Sequence, residues 1–239
     1  MNQENTWFDF KQFRIEQKDA AFKVGTDSCL MASSIDASFA QNVLDIGTGS
    51  GLIALMLAQK CNATIDGIDT DKKSSDQARV NFQRSLWSNR LTSIHCSLDE
   101  FAKTTSKTYD LLVSNPPYFV GSTKNIDQRI SNARHEGNLK LSSLLFHVKN
   151  LLTEHGKFTL VLPHDRYHDL KKEAISNNLY FHKELFIRPN KEKAINRFIA
   201  VLAKTKSASV DSCELILYKK LNQYSPEAIE LLKPYYLNL

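Results

Sequence analysis

Residues Val43–Gln59 constrain the fold more than any other stretch of the chain. Val43-Leu44-Asp45-Ile46 is an apolar run cut off by Gly47-Thr48-Gly49-Ser50-Gly51, and Leu52–Gln59 (LIALMLAQ) follows, apolar nearly all round. A short apolar run without alternation reads as a strand covered on both faces, and a helix lacking a polar face must be buried. Strand, glycine turn and buried helix together make a βα unit of a parallel sheet. The pattern recurs. Ala63–Ile68 reads as a strand closed by Asp69, and Ser74–Ser85 as an amphipathic helix with Ala78 and Phe82 four apart. Leu91–Cys96 and Asp110–Ser114 are further strands, Leu141–Leu152 a helix, Lys157–Leu162 a strand stopped by Pro163, and Tyr167–Ser176 a helix. Leu179–Ile187 and Arg197–Leu202 are strands joined by Arg188–Asn196, too short for a crossover helix, so this pair is antiparallel. Cys213–Tyr218 has the pattern of one more strand, and Ser225-Pro226-Glu227 opens a last helix. Ahead of the sheet, the alternation at Phe13/Ile15 and Phe22/Val24 predicts a hairpin turning at Gln17–Asp19, and Ser28–Ser34 a short helix. The expected class is α/β, a mostly parallel sheet with helices on both faces.

Composition narrows the setting. With 42% hydrophobic residues in 239 the chain can bury a large core. No apolar run reaches the ~18 residues of a membrane span, and the acidic N-terminus lacks the apolar core of a secretion signal, so a cytoplasmic protein is expected. Cys29, Cys61, Cys96 and Cys213 are far apart and read as small buried hydrophobes in a reducing compartment; with the histidines scattered as well, no metal site is expected. The net charge of +5 is unevenly spread: seven basic residues between Lys183 and Lys206 face only Glu184 and Glu192. Such a cluster is either a solvated surface or a phosphate-contacting patch.

Two turns carry the chemistry. The glycine loop is spaced GxGxG, with Leu52 where a nicotinamide-type GxGxxG loop has its third glycine. Asp45 precedes it. An acid there suits the cationic amine and sulfonium of S-adenosylmethionine better than a pyrophosphate, and Gly47 and Gly49 allow close backbone approach. Asp69 ends the next strand about 20 residues on, where a carboxylate accepts ribose hydroxyls. The second turn is Asn115-Pro116-Pro117-Tyr118, which ends the buried strand Asp110–Ser114 abruptly because proline has no N–H for the ladder. An exocyclic amino group conjugated to a ring is a poor nucleophile. The Asn115 side-chain carbonyl and the Pro116 backbone carbonyl would accept its two N–H bonds, and Tyr118 would stack on the base.

These three features resemble the class I amino-methyltransferases that act on adenine N6, guanine N2 or glutamine. Phe10-Lys11-Gln12-Phe13, Lys23-Val24-Gly25-Thr26-Asp27 and Ala133-Arg134-His135 narrow the resemblance to the bacterial tRNA(Val) adenine-N6 methyltransferases. It spans roughly residues 8–204 and implies a Rossmann-like class I methyltransferase, with a seven-stranded, mostly parallel sheet, an antiparallel last strand and an N-terminal hairpin. One domain is expected, with 1–41 as N-terminal extension, 42–204 as core and 205–239 as C-terminal extension. The resemblance further implies that Lys23 and Thr26 pack over the methionine end of S-adenosylmethionine and that Arg134 and His135 face RNA. The partner is the anticodon stem-loop of tRNA(Val), the acceptor the adenine next to the anticodon, and the enzyme a monomer. At the end of the third strand, where relatives carry an acid, this chain reads Ser97-Leu98; either the Leu98 backbone or Asp99 takes that place. Rival readings are methylation of guanine N2 in rRNA or of a glutamine amide in a protein. The short stretch before the glycine loop opposes the glutamine reading, and the missing third glycine opposes a nicotinamide oxidoreductase.

Overall fold

The computed structural model describes residues 6–116, 140–221 and 223–239. Its elements are β1 (Trp7–Asp9), β2 (Arg14–Glu16), α1 (Thr26–Ser34), β3 (Asn42–Ile46), α2 (Leu52–Ala58), β4 (Thr64–Asp69) and α3 (Lys72–Gln83). They continue with β5 (Leu91–His95), α4 (Leu98–Thr104), β6 (Tyr109–Ser114), α5 (Leu141–Leu151), β7 (Leu152–Pro163), α6 (Tyr167–Ser176), β8 (Tyr180–Arg188) and β9 (Arg197–Ala203). The last are β10 (Asp211–Ile216), β11 (Tyr218–Lys220), β12 (Gln223–Tyr224) and α7 (Pro226–Leu232).

Among the described residues one eight-stranded sheet runs β10-β8-β9-β7-β6-β3-β4-β5. All neighbours are parallel except β9, which is antiparallel to both β7 and β8. The parallel core and the antiparallel β8–β9 pair are as the sequence predicts. The expected count of seven is corrected to eight: β10 adds in parallel to β8, pairing Asp211 with Lys183 and Ile216 with Arg188. Its first four residues are exposed, as suits an edge, and the sheet thus takes in residues beyond 204.

The unbroken apolar runs follow from burial on both faces. Val43, Leu111 and Val113 point into one core with α1, α2, α3 and α7. Leu44 and Leu112, one residue on, point into the other with α4, α5 and α6. Period-two geometry sends neighbours to opposite faces, so only a strand covered twice needs both to be apolar. Helix α2 is buried along its whole length.

Further expectations are corrected, and one element is added. The hairpin pairs Trp7 with Glu16 and Asp9 with Arg14, so its turn lies at Phe10–Phe13 and not at Gln17–Asp19. Phe22 and Val24 lie outside any strand: the Val24 amide donates to Gln17 Oε1 at 2.7 Å, and the preceding Asp19 and Ala21 amides go to α3 side chains (below). Helix α4 is absent from the sequence reading; its signal is the capping box in which Ser97 accepts from the Glu100 amide and Glu100 accepts from the Ser97 amide. Finally, of the four free cysteines only Cys29 is buried, and Cys213 is exposed on β10. No helix among the described residues is long and apolar enough to cross a membrane.

Candidate active site

Strand register assembles the site. Ile46 pairs with Ser114 and Asp69 with His95, and β6, β3, β4 and β5 are adjacent and parallel. Their carboxyl ends therefore deliver Asn115, Gly47, Asp69 and the Cys96–Leu98 turn in a row along one rim. In open α/β sheets that rim is where ligands bind. The Ser114 hydroxyl donates to the Ile46 carbonyl at 2.9 Å, tying the Asn115 strand to the glycine strand at the point where both end.

The glycine loop is built tightly. Gly47, Gly49 and Gly51 have φ of +74°, +56° and +85°, a region that penalises any residue with a Cβ. The Gly47 and Thr48 amides both donate to the Ile68 carbonyl. A Cβ on Gly51 would sit 2.4 Å from the Phe82 ring, and one on Gly67 2.8 Å from Thr48 Oγ1. Gly47 and Gly49 are different: a Cβ there would meet nothing within 4 Å. The loop is thus packed behind and open in front, a cradle of the kind a small ligand needs.

Two carboxylates lie under and beside that cradle. Asp45 is fully buried and accepts from the Thr48 hydroxyl at 2.8 Å. Burial pushes its carboxyl up to about 7, against the pull of that hydrogen bond, and the nearby Asp69 charge pushes the same way. Asp69 accepts from the Gly49 and Asp71 amides, each at 2.8 Å, and burial raises its pKa as well. Desolvated anions that disfavour their own charge are stabilised by a nearby cation and repelled by a phosphate. The loop therefore fits S-adenosylmethionine, and it fits a dinucleotide pyrophosphate badly.

The remaining expected residues fall as follows. Asn115 and Pro116 stand at the end of β6, both half-buried. Pro117, Tyr118, Arg134 and His135 lie outside the described residues. Thr26 opens α1 beside Tyr224, and Lys23 is exposed just before it. Leu98 is buried in the first turn of α4. Asp99 faces away from Leu98 toward α5, where it contacts His147 at 2.5 Å.

The Lys183–Lys206 cluster dissolves into separate contacts. Lys183 pairs with Asp211 at 3.5 Å, Arg188 with Glu214 at 2.6 Å and Arg197 with Asp27 at 2.9 Å. Lys204 caps the Leu152 carbonyl, and Lys206 lies over the Tyr180 ring. Lys191 and Lys193 stand exposed on the turn between β8 and β9. Since β8 runs parallel to the core, that turn is on the same rim as Asn115.

Two groups of residues escaped the sequence reading. Ser28 on α1 accepts a hydrogen bond from Asn115 Nδ2 at 2.7 Å. On α3, Ser74, Gln77 and Asn81 are buried and grip the segment 16–21. Asn81 Nδ2 donates to the Glu16 and Ser50 carbonyls at 2.8 Å, and Asn81 Oδ1 accepts from the Glu16 amide. Ser74 Oγ and Gln77 Oε1 accept from the Ala21 and Asp19 amides. The available signal was a second helical stripe, Ser74-Gln77-Asn81 at i, i+3, i+7, beside the apolar one.

Comparison with known proteins agrees with this geometry. Residues 19–183 match the family model of the methyltransferase small domain. A protein of Trichodesmium erythraeum called tRNA1(Val) (adenine(37)-N6)-methyltransferase is 38% identical, over 96% of this chain and 97% of its own length. One of the same name from Parabacteroides distasonis is 37% identical over 98% and 99%. Among solved structures, a predicted O-methyltransferase of Agrobacterium tumefaciens superposes with a TM-score of 0.69 at 15% identity, covering 90% of this chain and all of that one. A TehB-like SAM-dependent methyltransferase of Corynebacterium glutamicum gives 0.52 at 17% identity, covering 77% and 89%. These structures share the fold.

Proposed function

The chain belongs to the methyltransferase small domain family and to the tRNA1(Val) (adenine(37)-N6)-methyltransferases, and from that premise we propose that it transfers a methyl group from S-adenosylmethionine to the exocyclic N6 of the adenine next to the anticodon of tRNA(Val). The observation that carries the reading is the juxtaposition of Asn115 with the open glycine cradle, set by the pairing of Ile46 with Ser114.

When bound, S-adenosylmethionine supplies an electrophilic methyl group on a sulfonium. The chain supplies placement. Gly47 and Gly49 let the backbone approach closely, Asp69 accepts the ribose hydroxyls, and Asp45 braces the loop through Thr48 while adding negative potential beneath it. Lys23 and Thr26 cover the methionine end, and the Leu98 backbone borders the adenine; the engagement of Asp99 with His147 supports Leu98 over Asp99 in that role. The Asn115 side-chain carbonyl and the Pro116 backbone carbonyl accept the two N–H bonds of the acceptor amine, and Tyr118 stacks on its base. Holding the amine in line with the methyl carbon provides most of the rate. No side chain acts as general base, because the nitrogen becomes acidic once methylated and its proton passes to solvent. The enzyme works in the cytoplasm as a monomer and grips the anticodon stem-loop.

The test is methyl transfer from labelled S-adenosylmethionine to unmodified tRNA(Val), followed by nucleoside analysis. N6-methyladenosine is expected; label in guanine or in protein, with none in adenine, refutes the reading. Asn115→Ala is expected to keep S-adenosylmethionine affinity and lose ~10²-fold or more in kcat. Unchanged turnover removes Asn115 from the mechanism.

A further inference from the structure

A base methylated on its exocyclic nitrogen must leave its stack to reach Asn115, and its neighbour in the RNA then loses a stacking partner. An exposed aromatic ring at the mouth of the site can replace that partner. Phe22 is such a ring. It is 43% exposed, whereas Val24, two residues on, packs on the core. The other aromatic rings ahead of α1 are engaged: Trp7 lies under the Arg14 guanidinium, Phe8 and Phe13 pack on Phe10, and Phe13 also meets Trp87. The backbone is fastened on both sides of Phe22. The Ala21 amide donates to Ser74 Oγ at 3.1 Å, and that hydroxyl donates to Asp71 Oδ2 at 2.7 Å. The Asp71 amide donates in turn to Asp69, so Ala21 is tied to the end of β4. The Val24 amide donates to Gln17 Oε1 at 2.7 Å, and beyond it Ser28 meets Asn115 at the end of β6. Strand β3 lies between β4 and β6. Residues 21–28 therefore cross the end of β3, where the glycine loop begins. Lys18 and Lys23 are exposed on this segment, with Asp19 the one acid between them.

We infer that Phe22 is an RNA-binding residue whose ring stacks on the base beside the acceptor adenine. The inference rests on the RNA reading above and adds to it a named contact outside the donor cradle. A ring on a tethered backbone offers its face with little ordering cost, and the exposed ammonium groups of Lys18 and Lys23 favour the RNA backbone alongside it. The contact belongs to RNA binding. Donor binding and the transfer step at saturating RNA do not depend on it.

The experiment compares wild type, Phe22→Leu and Phe22→Tyr in steady-state transfer to unmodified tRNA(Val), with S-adenosylmethionine affinity and Tm measured on each. Leucine keeps an apolar side chain and removes the ring; tyrosine keeps the ring. Phe22→Leu is expected to raise the KM for tRNA about tenfold, with kcat, donor affinity and Tm as in wild type. Phe22→Tyr keeps the wild-type KM. A second measurement uses an anticodon stem-loop with 2-aminopurine placed in turn on either side of the acceptor adenine. At one of the two positions the bound probe is brighter with Phe22→Leu than with wild type or Phe22→Tyr, because the quenching ring is gone. Wild-type KM in Phe22→Leu overturns the proposal, as does a loss that Phe22→Tyr fails to recover, a loss matched by an equal loss of donor affinity, or equal brightness at both positions. The wild-type reaction separates the two claims: if it puts no label into adenine, the RNA reading itself fails; if it does and Phe22→Leu matches it, only the role of Phe22 fails.

Discussion

At the scale of single residues, the site is dominated by groups whose polarity is in tension with their burial. Asp45 is the clearest. Its carboxyl is lifted from 3.8 to about 7 because the ionised form is desolvated, and one hydroxyl does not offset that. A carboxyl whose folded pKa exceeds its unfolded value holds more protons folded than unfolded between the two. Stability of the free protein therefore falls as pH rises from about 4 through about 7, and is level above that. Asp45→Asn retains an acceptor for Thr48 and carries no charge. It is expected to raise Tm at pH 8 and to leave it near wild type at pH 4, by scanning calorimetry without donor. A shift of equal size at both pH values would show that the charge of Asp45 is not what costs stability. With donor, the order reverses at pH 8: the variant loses affinity, because the cation no longer finds an anion beneath the loop.

Among the elements, α3 shows best what sequence reveals and what it conceals. Its apolar stripe through Ala78 and Phe82 was legible, because burial against a sheet demands apolar residues at helical spacing. So were the strands, the glycine loop and Asn115-Pro116, each of which writes its structural need in local residue types. The polar stripe Ser74-Gln77-Asn81 was not read, because polar residues at helical spacing look like a solvent face until a partner covers them. Here the partner is the backbone of residues 16–21; with the Val24 amide taken by Gln17 Oε1, the stretch predicted as a strand at Phe22/Val24 is held by side chains instead of a strand partner. Ser28 was hidden for the same reason: its partner is 87 residues away. Helix α4 was legible in principle, through its capping box. Asn81→Ala tests the polar stripe. It leaves the Glu16 amide and the Glu16 and Ser50 carbonyls without their side-chain partner, and should cost about 2–4 kcal/mol in denaturant unfolding, at ~1–3 kcal/mol for each buried group left unsatisfied and part of that regained from water. It should also raise the KM for S-adenosylmethionine, since Ser50 lies in the glycine loop and the gripped segment leads to Lys23 and Thr26. Loss of less than about 1 kcal/mol with KM unchanged would mean that the segment is seated by its apolar contacts alone.

For the molecule as a whole, the question is where a net charge of +5 meets an RNA. In sequence the Lys183–Lys206 cluster looks like one basic patch, because the acids that neutralise it lie elsewhere in the chain, Asp27 upstream and Asp211 and Glu214 downstream. Parallel pairing of β10 with β8 brings Asp211 to Lys183 and Glu214 to Arg188, and α1 brings Asp27 to Arg197. Lys191 and Lys193 stand exposed on the β8–β9 turn, at the rim where Asn115 emerges, whereas Lys206, also exposed, lies over the Tyr180 ring. An RNA that offers its adenine at that rim is expected to lay its flanking phosphates across this turn. The two lysines should therefore neutralise phosphates that Lys183 and Arg188 do not reach. Lys191→Ser/Lys193→Ser is expected to weaken tRNA binding and to flatten the plot of log affinity against log salt by about one unit for each phosphate the variant no longer neutralises. Its Tm and its affinity for S-adenosylmethionine should stay at the wild-type values. Lys183→Ser should leave the salt slope unchanged and alter stability by less than ~1 kcal/mol, because its ion pair is exposed and screened. Equal slopes for wild type and the Lys191/Lys193 variant would return that turn to ordinary solvated surface and place the phosphate grip on other residues.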